Sequence, residues 1–331
     1  MATVLIFICV LAYSQHAICH PVVPDPPNAD VNDPSYSDPI NPPKSISFPD
    51  RVPPNPFPSG IPDQPNQCEG LNPSDDCLHG MVSTGGYLFY DKDSQCSDEQ
   101  KDAAQTAIWD ATTLANYANP VPESGESNHG DVSAVFYMGS DWRAQQSRLS
   151  GNLKRVADFK TGKTSNKAYI TVSCNDKDKL CPTKIPGKPQ KGVGGYAWTY
   201  SGWFGYYHYI TLCPTFFTMD TLGTKINQVE QDLAKGSTKM AKDMEWLRSS
   251  GQMFLHEMMH TRIADGGVEP HITDEYVEDW DPNWRARDFE NKAYGPKNVR
   301  KLAKRAISRG GGVRRASTNA DSYAMLANAI W

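Results

Sequence analysis

The sequence predicts an α+β fold in which helices pack on a small mixed β-sheet. Apolar residues recur at helical spacing after Ser97 and again across residues 249–260. Between these segments, residues 168–173 and 196–213 are rich in β-branched and aromatic side chains, which is typical of strands. We therefore expect helices that cover a sheet of few strands.

Bulk properties exclude several classes of protein. The chain has 331 residues and a mass of 36.7 kDa, and its hydrophobic content of 39% is enough to bury the core of one large or two small domains. The formal charge of −5 gives no global attraction to nucleic acid, and no apolar run is long enough to span a bilayer. We expect a monomer that binds no nucleic acid and has no membrane span.

The first 66 residues predict two segments ahead of the folded domain. The apolar run at residues 4–13 is typical of a secretory signal, with small residues placed for cleavage before His20. Residues 20–66 hold 15 of the 25 prolines, which predicts an extended arm, a linker or a pro-segment. The expected organisation is a signal at 1–19, a Pro-rich arm at 20–66 and a domain at 67–331, in a secreted protein.

Cysteine usage agrees with secretion. Two of the eight cysteines would leave with the signal, and the remaining six are Cys68, Cys77, Cys96, Cys174, Cys181 and Cys213. An even number of cysteines in a secreted chain predicts disulfides, here three. The close pair Cys174 and Cys181 predicts a local staple, and the lack of any C-x-x-C pattern argues against a cysteine metal site.

Four elements are expected in the first half of the domain. A capping box at Ser97 begins a helix that ends before Pro120. Residues 132–137 predict a strand, residues 141–157 an amphipathic helix, and residues 168–173 a second strand.

An aromatic segment then predicts a β-hairpin. Its rings are Tyr196, Trp198, Tyr200, Trp203, Phe204, Tyr206, Tyr207 and Tyr209. We expect them to build a core and line a cleft, since the alternative, a stacking platform for nucleic acid or sugar, lacks a basic partner. Pro214 marks the strand at 210–214 as an edge or an end, and an edge would let an extended peptide pair with it. Helices are expected at 225–235 and 238–248.

Residues 255–260 contain the pattern His-Glu-x-x-His. On a helix, His256 and His260 lie on one face, so both imidazoles can reach one Zn²⁺ ion per chain. Glu257 would then face the water on that ion, as the general base of a zinc peptidase does. The alternative is an amphipathic helix with two solvated histidines. Residues 265–267 are expected to end this helix.

Zinc held by two histidines needs a third protein ligand. The downstream candidates are Asp265, Glu269, His271, Asp274, Glu275, Glu278, Asp279, Asp281 and Asp288. A third histidine at the metzincin spacing is excluded, because Ile263 stands where that motif has glycine. A gluzincin arrangement, with a glutamate on a following helix, would use Glu275 or Glu278.

Four short blocks accompany this motif: ITLCP at 210–214, ITD at 272–274, AYG at 293–295 and NADSYA at 319–324. With these blocks the last third of the chain closely resembles the deuterolysin family, the aspzincins, as a divergent, secreted, fungal-type member. The resemblance implies a zincin-like fold with His256, His260 and Asp274 as zinc ligands. It also implies Glu257 as general base and acid, and Tyr294 as a hydrogen-bond donor to the oxyanion.

Two departures from that family leave alternatives open. The family has Gly-Thr before the aspartate, whereas His271 and Ile272 precede Thr273 here, and 19 residues separate Asp274 from Tyr294 where the family keeps them close. Alternative ligands are Glu275, His271 and Asp288, and Tyr276 is an alternative donor.

The C-terminal part predicts two helices. The first begins at Pro296, ends at the glycines 310–312, and carries the basic residues Lys297, Arg300, Lys301, Lys304, Arg305, Arg309, Arg314 and Arg315 in and after it. An ordinary solvated face is favoured over a nucleic-acid patch. Residues 319–331 predict a short amphipathic helix.

Together these patterns predict a secreted, single-domain zinc endopeptidase that acts on polypeptide substrates. The competing class is a secreted zinc-binding or surface-interaction protein with the same fold and little or no turnover. Glu257 argues against it, since a zinc carrier needs no base beside its first ligand. No residue can be assigned to a specificity pocket from the sequence.

Overall fold

The structure is a computed structural model of the chain. It describes residues 87–90, 92–119, 121, 129–159, 169–181, 194–202, 205–277, 292–309 and 311–331. The predicted signal, the Pro-rich arm and the predicted start of the domain at residue 67 lie outside these ranges. So do Cys68, Cys77, Trp203, Phe204, Glu278, Asp279, Asp281 and Asp288.

Four strands form a mixed sheet: β1 (Tyr87–Phe89), β2 (Tyr169–Ser173), β3 (Gly195–Gly202) and β4 (Gly205–Leu212). Their order is β1–β2–β4–β3, with β2 parallel to both β1 and β4 and with β3 antiparallel to β4. The predicted strand at 168–173 and the predicted hairpin are therefore confirmed. Helices pack on this small sheet, so the fold is α+β.

The edge of the sheet is not where the sequence placed it. β4 lies between β2 and β3, and the strand that packs against the motif helix from the sheet edge is β3. Pro214 lies two residues after Leu212, the last residue of β4, and is consistent with the end of that strand, because proline has no N–H to continue the pairing.

The hairpin rings stack on one another instead of filling the core. Tyr196, Trp198 and Tyr209 form a ladder with ring-centre separations of 5.6 and 5.2 Å, and Trp198 is 39% exposed. Strand alternation turns Ala197 and Ile210 toward the core on the opposite face. The expectation that these rings build the core is therefore wrong.

The helices are α1 (Asp98–Tyr117), α2 (His129–Met138), α3 (Gln146–Phe159), α4 (Leu222–Ala234), α5 (Ser250–Met259), α6 (Arg262–Asp265), α7 (Gly295–Lys304), α8 (Val313–Ala316) and α9 (Ala320–Ile330). The capping box of α1 is confirmed: the Ser97 hydroxyl accepts from the Gln100 N–H, and the Gln100 side chain accepts from the Ser97 N–H at 2.9 Å. The helix expected at 238–248 is wrong, since only a 3-10 turn, Met240–Lys242, forms there.

The strand expected at 132–137 is also wrong, because these residues lie in α2. Valine and aromatic side chains favour strands, but the buried residues Ala134, Tyr137 and Met138 follow a spacing of three and four that suits a helix. Val132, which an alternating strand would have buried with Ala134, is 45% exposed. Packing of α2 against α7 and α9 outweighs the local propensity.

The motif helix α5 packs against α1, α9 and β3, and nine of its ten residues are buried. Ser249 caps its start by accepting from the Gln252 N–H at 3.2 Å, as the sequence predicts. Its end differs from the prediction: α5 stops at Met259, a break follows, and Gly266 in the left-handed region ends the separate turn α6.

Two disulfides join distant parts of the described chain, Cys96 to Cys174 and Cys181 to Cys213. The predicted local staple between Cys174 and Cys181 is therefore wrong. The Cys174 N–H bonds the Ser94 carbonyl, and the Cys213 N–H bonds the Gly194 carbonyl. The sheet thus brings each cysteine to a partner outside its own loop.

The C-terminal helices pack as a layer over α2. Pro296 lies in the first turn of α7, at the helix start as predicted, and the apolar side of this helix buries Val299 and Leu302. The Arg300 guanidinium lies 4.2 Å from the centre of the Phe136 ring, so part of the basic run stabilises the domain. α9 is buried from Ala320 to Asn328, not amphipathic as expected. In the described part of the chain, no helix has both the length and the hydropathy to cross a bilayer.

Candidate metal centre

Two histidines of the motif meet at the end of α5. His256 lies in the last turn of the helix and His260 is its C-terminal cap, which leaves their Nε2 atoms 3.3 Å apart. His256 is 5% exposed, and His260 is half-buried. The helix therefore directs both imidazoles to one point, as the spacing predicts.

Asp274 reaches the same point from a segment that follows α6. The backbone holds this segment beside the start of α9: the Thr273 N–H donates to the Thr318 carbonyl at 2.8 Å, and the Ala320 N–H donates to the Thr273 carbonyl at 3.0 Å. Oδ1 of Asp274 then lies 3.3 Å from Nε2 of His256 and 3.1 Å from Nε2 of His260.

The three atoms form a nearly equilateral triangle with sides of 3.1 to 3.3 Å. Ligand atoms around a tetrahedral zinc ion at about 2.0–2.1 Å lie about 3.3 Å from one another. Oδ1 of Asp274 is also buried and has no hydrogen-bond donor. A buried carboxylate oxygen without a donor is costly unless a cation faces it, so the donor set fits zinc. Among the described residues, His256, His260 and Asp274 form a group whose geometry could hold a metal ion.

Each imidazole is also held in place by a contact of its Nδ1 atom. Nδ1 of His256 lies 3.1 Å from Oδ1 of Asp321, and Nδ1 of His260 lies 3.3 Å from the carbonyl oxygen of Ile272. Because both partners only accept, each Nδ1 carries the proton, and each Nε2 presents its lone pair to the centre. Metal-binding histidines are usually oriented in this way.

Glu257 is buried beside these ligands, with an exposed fraction of 2%. Burial raises the pKa of its carboxyl group, and the neighbouring His256 and His260 oppose that rise. The start of β3 passes close by: a Cβ atom on Gly195 would lie 3.4 Å from Cγ of Glu257 and only 2.8 Å from the Thr211 carbonyl oxygen. Glycine therefore allows the edge strand to approach the glutamate.

Tyr294 caps the start of α7 and completes the centre. Its hydroxyl donates to Oδ2 of Asp274 at 2.6 Å, and its ring centre lies 5.6 Å from that of His256. Burial and the carboxylate of Asp274 raise the pKa of Tyr294 above its usual range, so the hydroxyl keeps its proton and remains a donor. The antiparallel bridge between Tyr276 and Lys292 brings this segment back, despite the 19 intervening residues.

The electrostatics of the centre favour a cation. Burial opposes the charged form of Asp274, but its two histidine neighbours hold the pKa of this carboxyl well below its usual range. Burial also favours a neutral His256, yet Asp274 and Asp321 raise the pKa of this imidazole. The carboxylates thus stabilise positive charge between them, which a metal ion would supply in place of a proton.

The alternative ligands are engaged elsewhere. The Glu275 carboxylate accepts from Arg315 and, at 2.8 Å, from the Thr318 hydroxyl. Nδ1 of His271 contacts Asp265, which also accepts from Arg262. Glu269 accepts from Arg262 at 2.8 Å. Asp288, like Glu278, Asp279 and Asp281, lies outside the described residues. The alternative donor Tyr276 presents its ring to Lys292 at 6.0 Å.

Sequence reasoning missed two residues of this centre. Asp321 belongs to the NADSYA block, and its Oδ2 also accepts from the Gly295 N–H at 2.6 Å. Lys292 belongs to no motif of the sequence, and its Nζ lies 3.1 Å from Oδ2 of Asp274. Asp321 is the one charged residue of the largely apolar final helix, which is the signal that could have indicated it; no pattern indicates Lys292.

Comparison with known proteins gives little. The sequence matches no family model and no curated protein. Among solved structures it is similar to one described as "zinc peptidase from Grifola frondosa", with 14% identity and a TM-score of 0.38 over 70% of this chain and 96% of that chain. This likeness is too weak to decide the activity of the present chain, which has to be inferred from the geometry of its own residues.

Proposed function

We propose that this chain is a secreted zinc-dependent endopeptidase, a divergent relative of the aspzincins with a zincin-like fold and one zinc ion per chain. The observation that carries the proposal is the triangle formed by Nε2 of His256, Nε2 of His260 and Oδ1 of Asp274, with a buried glutamate beside it. Two solvated histidines would be neither buried nor held by hydrogen bonds to Nδ1, whereas both features are usual for histidines that bind a metal.

In this proposal each residue has a defined task. When bound, zinc polarises a peptide carbonyl and lowers the pKa of a water molecule to about 7. Glu257 accepts a proton from the attacking water as the new C–O bond forms, and it donates a proton to the leaving nitrogen as the C–N bond breaks. Burial raises the pKa of Glu257, which favours a group that must both accept and donate a proton.

The negative charge that develops on the carbonyl oxygen needs a hydrogen-bond donor. Tyr294 supports this role because its protonated hydroxyl lies beside the ligand Asp274. Removing one such donor typically costs about 3–4 kcal/mol of transition-state stabilisation. Tyr294 would leave its bond to Asp274 when substrate arrives.

The edge strand β3 suggests how a polypeptide substrate is held. Among the described strands, β3 is paired on one side only, by β4, and its first residues lie next to Glu257. An extended peptide that paired with β3 would pass the glutamate in a fixed orientation. The sequence and structure assign no side-chain preference, so we propose polypeptides in general as substrates.

Secretion and a monomeric state belong to the same proposal. The two disulfides of the described residues are compatible with an oxidising compartment, where such bonds persist. The predicted signal at 1–19 supplies the route.

The test is cleavage of an unfolded protein by the purified, disulfide-intact chain, with bound zinc counted. We expect the parent and the exposed control Glu230→Gln to hold one zinc ion and to cleave, and Glu257→Gln to hold zinc and to lose nearly all cleavage. If the parent chain neither binds zinc nor cleaves the unfolded protein, the proposal is wrong. If zinc binds and a chain trimmed to residue 67 still does not cleave, the zinc-binding protein without turnover is the better description.

A further inference from the structure

Lys292 lies in the centre, although the proposed zinc site does not require a lysine. Its Nζ donates to Oδ2 of Asp274 at 3.1 Å and to the Tyr294 hydroxyl at 3.2 Å. The side chain is 24% exposed, so most of it is removed from water. Its ammonium group also lies 5.4 Å from the centre of the Tyr294 ring. These contacts hold the ammonium group of Lys292 beside both Asp274 and Tyr294.

The backbone shows how the lysine is delivered. Lys292 forms an antiparallel bridge with Tyr276, and the Ala293 N–H donates to the Glu275 carbonyl at 2.7 Å. These contacts hold the segment that carries Lys292 beside the segment that carries Asp274. The segment thereby places the ammonium group of Lys292 in contact with Asp274.

A charge balance gives the lysine a purpose. The described carboxylates that act on the centre are those of Asp274, Asp321 and Glu257. A divalent zinc ion neutralises two of these three charges, and Lys292 provides the third positive charge. An aspartate ligand makes a zinc site one unit less positive than a third histidine would. Lys292 restores that unit of positive charge next to the Tyr294 hydroxyl.

The hydrogen-bond chain has a direction. The ammonium group of Lys292 donates to the Tyr294 hydroxyl, which itself donates to Asp274. A hydroxyl that accepts from a cation becomes a stronger donor, because hydrogen bonds in series polarise one another. The same polarised hydroxyl would meet the carbonyl oxygen of a substrate.

We propose that Lys292 is a positioning residue of the peptidase, which polarises Tyr294 and adds positive charge beside the developing oxyanion. The inference rests on the proposed function and deepens it. It predicts that the lysine contributes to turnover and not to zinc affinity. A purely structural ion pair would instead hold Asp274 in place, and its loss would weaken zinc binding.

The test compares Lys292→Met and Lys292→Arg with the parent and with Lys297→Met, an exposed lysine of α7 that loses the same charge. Zinc affinity is measured by competition with a chromogenic chelator, and kcat and KM are measured on a quenched peptide. We expect Lys292→Met to lower kcat about tenfold to a hundredfold with KM nearly unchanged, and Lys292→Arg to recover part of the loss because it keeps the charge. Zinc should bind as tightly as in the parent, or more tightly, since Asp274 loses a competing cation.

Several results would overturn the inference without touching the proposed function. One is a parent that cleaves and a Lys292→Met variant with the same kcat. Another is a zinc affinity that falls as much as kcat does, which would assign the lysine a structural role. A third is an arginine variant no better than the methionine variant. A parent that neither binds zinc nor cleaves overturns both proposals.

Discussion

At the scale of single residues, Asp321 is the group on which the orientation of His256 depends. Its two oxygens accept from different donors, Nδ1 of His256 at 3.1 Å and the Gly295 N–H at 2.6 Å. It is 3% exposed, so water cannot replace either bond. The carboxylate thus ties the imidazole of α5 to the first turn of α7.

Replacing Asp321 by asparagine tests this link. An amide has one accepting oxygen, so either flip of the side chain leaves an N–H group facing another donor. We expect Asp321→Asn to weaken zinc binding about 10–100-fold, the usual effect of losing such a partner. Competition with a chelator measures the change, and Asp102→Asn on the exposed side of α1 is the control. Equal affinities in the two variants would remove Asp321 from the centre.

The residues of the centre differ in how far the sequence could predict them. His256, Glu257 and His260 follow from one helical spacing, so local periodicity was sufficient. Asp274 and Tyr294 needed the family resemblance, because backbone bridges from Thr273 to Asn319 and from Tyr276 to Lys292 bring them together. Such pairings between distant segments leave no local pattern. Lys292 depends on them entirely, and neither spacing nor composition indicated it.

At the scale of the elements, α5 is held close to α1 by a glycine. A Cβ atom on Gly251 would lie 2.2 Å from Cβ of Asp110, far inside contact distance. The two helices can approach in this way only because that side chain is missing. Gly223 in α4 offers a contrast, since a Cβ atom there would have its nearest neighbour at 4.0 Å.

These two glycines provide a matched prediction. We expect Gly251→Ala to lower the free energy of unfolding by about 1–3 kcal/mol, since overpacking outweighs the better helix propensity of alanine. Gly223→Ala should raise it by up to about 1 kcal/mol, because only the propensity changes. Urea denaturation at one pH measures both. A Gly251→Ala variant as stable as Gly223→Ala would show that α1 and α5 are not in close contact.

Strand β4 carries a buried histidine that makes stability depend on pH. Burial lowers the pKa of His208 to about 4, although Asp265 acts in the opposite direction. The folded protein thus holds this ring neutral, while the unfolded chain protonates it near pH 6.5. Stability from this group is present above about pH 6.5 and is lost as pH falls toward 4.

The loss should reach at most about 3 kcal/mol between those limits, and His208→Gln should flatten this part of the profile. Denaturant unfolding at several pH values gives the curve. Parallel curves for the parent and His208→Gln would contradict the assignment.

Elements were predictable where one local signal dominated. The capping box at Ser97 and the β-branched run at 168–173 each gave the correct element. Residues 132–137 misled because two valines and two aromatic residues suggested a strand, while burial of Ala134, Tyr137 and Met138 against neighbouring helices favours a helix. The inner position of β4 could not be predicted either, since strand order depends on all of the strands together.

At the scale of the whole molecule, distant parts of the chain meet at α5. Its wall is made by α1 near the start of the described chain, by α9 at its end and by β3 from the middle. The centre therefore forms only when the domain has folded, because its three candidate ligands, Asp321 and Lys292 come from four separate segments. Zinc binding and global stability should be linked for this reason.

The two disulfides act on this linkage in different ways. Cys96–Cys174 spans 78 residues and Cys181–Cys213 spans 32, and the two loops share no residue. By loop entropy, their removal should lower the free energy of unfolding by at most about 4.5 and 3.7 kcal/mol, and the losses should add. The second bond also adjoins the centre, because the Cys213 N–H bonds the Gly194 carbonyl just before the part of β3 that approaches Glu257.

We therefore expect the two paired cysteine-to-alanine variants to separate stability from turnover. The pair Cys96→Ala and Cys174→Ala should lose more stability and keep its kcat in the folded state. The pair Cys181→Ala and Cys213→Ala should lose less stability but also raise KM, because the start of the edge strand is no longer held beside Glu257. Denaturation and peptide cleavage well below the unfolding transition measure the two effects. Equal KM values in both variants would mean that β3 does not position the substrate.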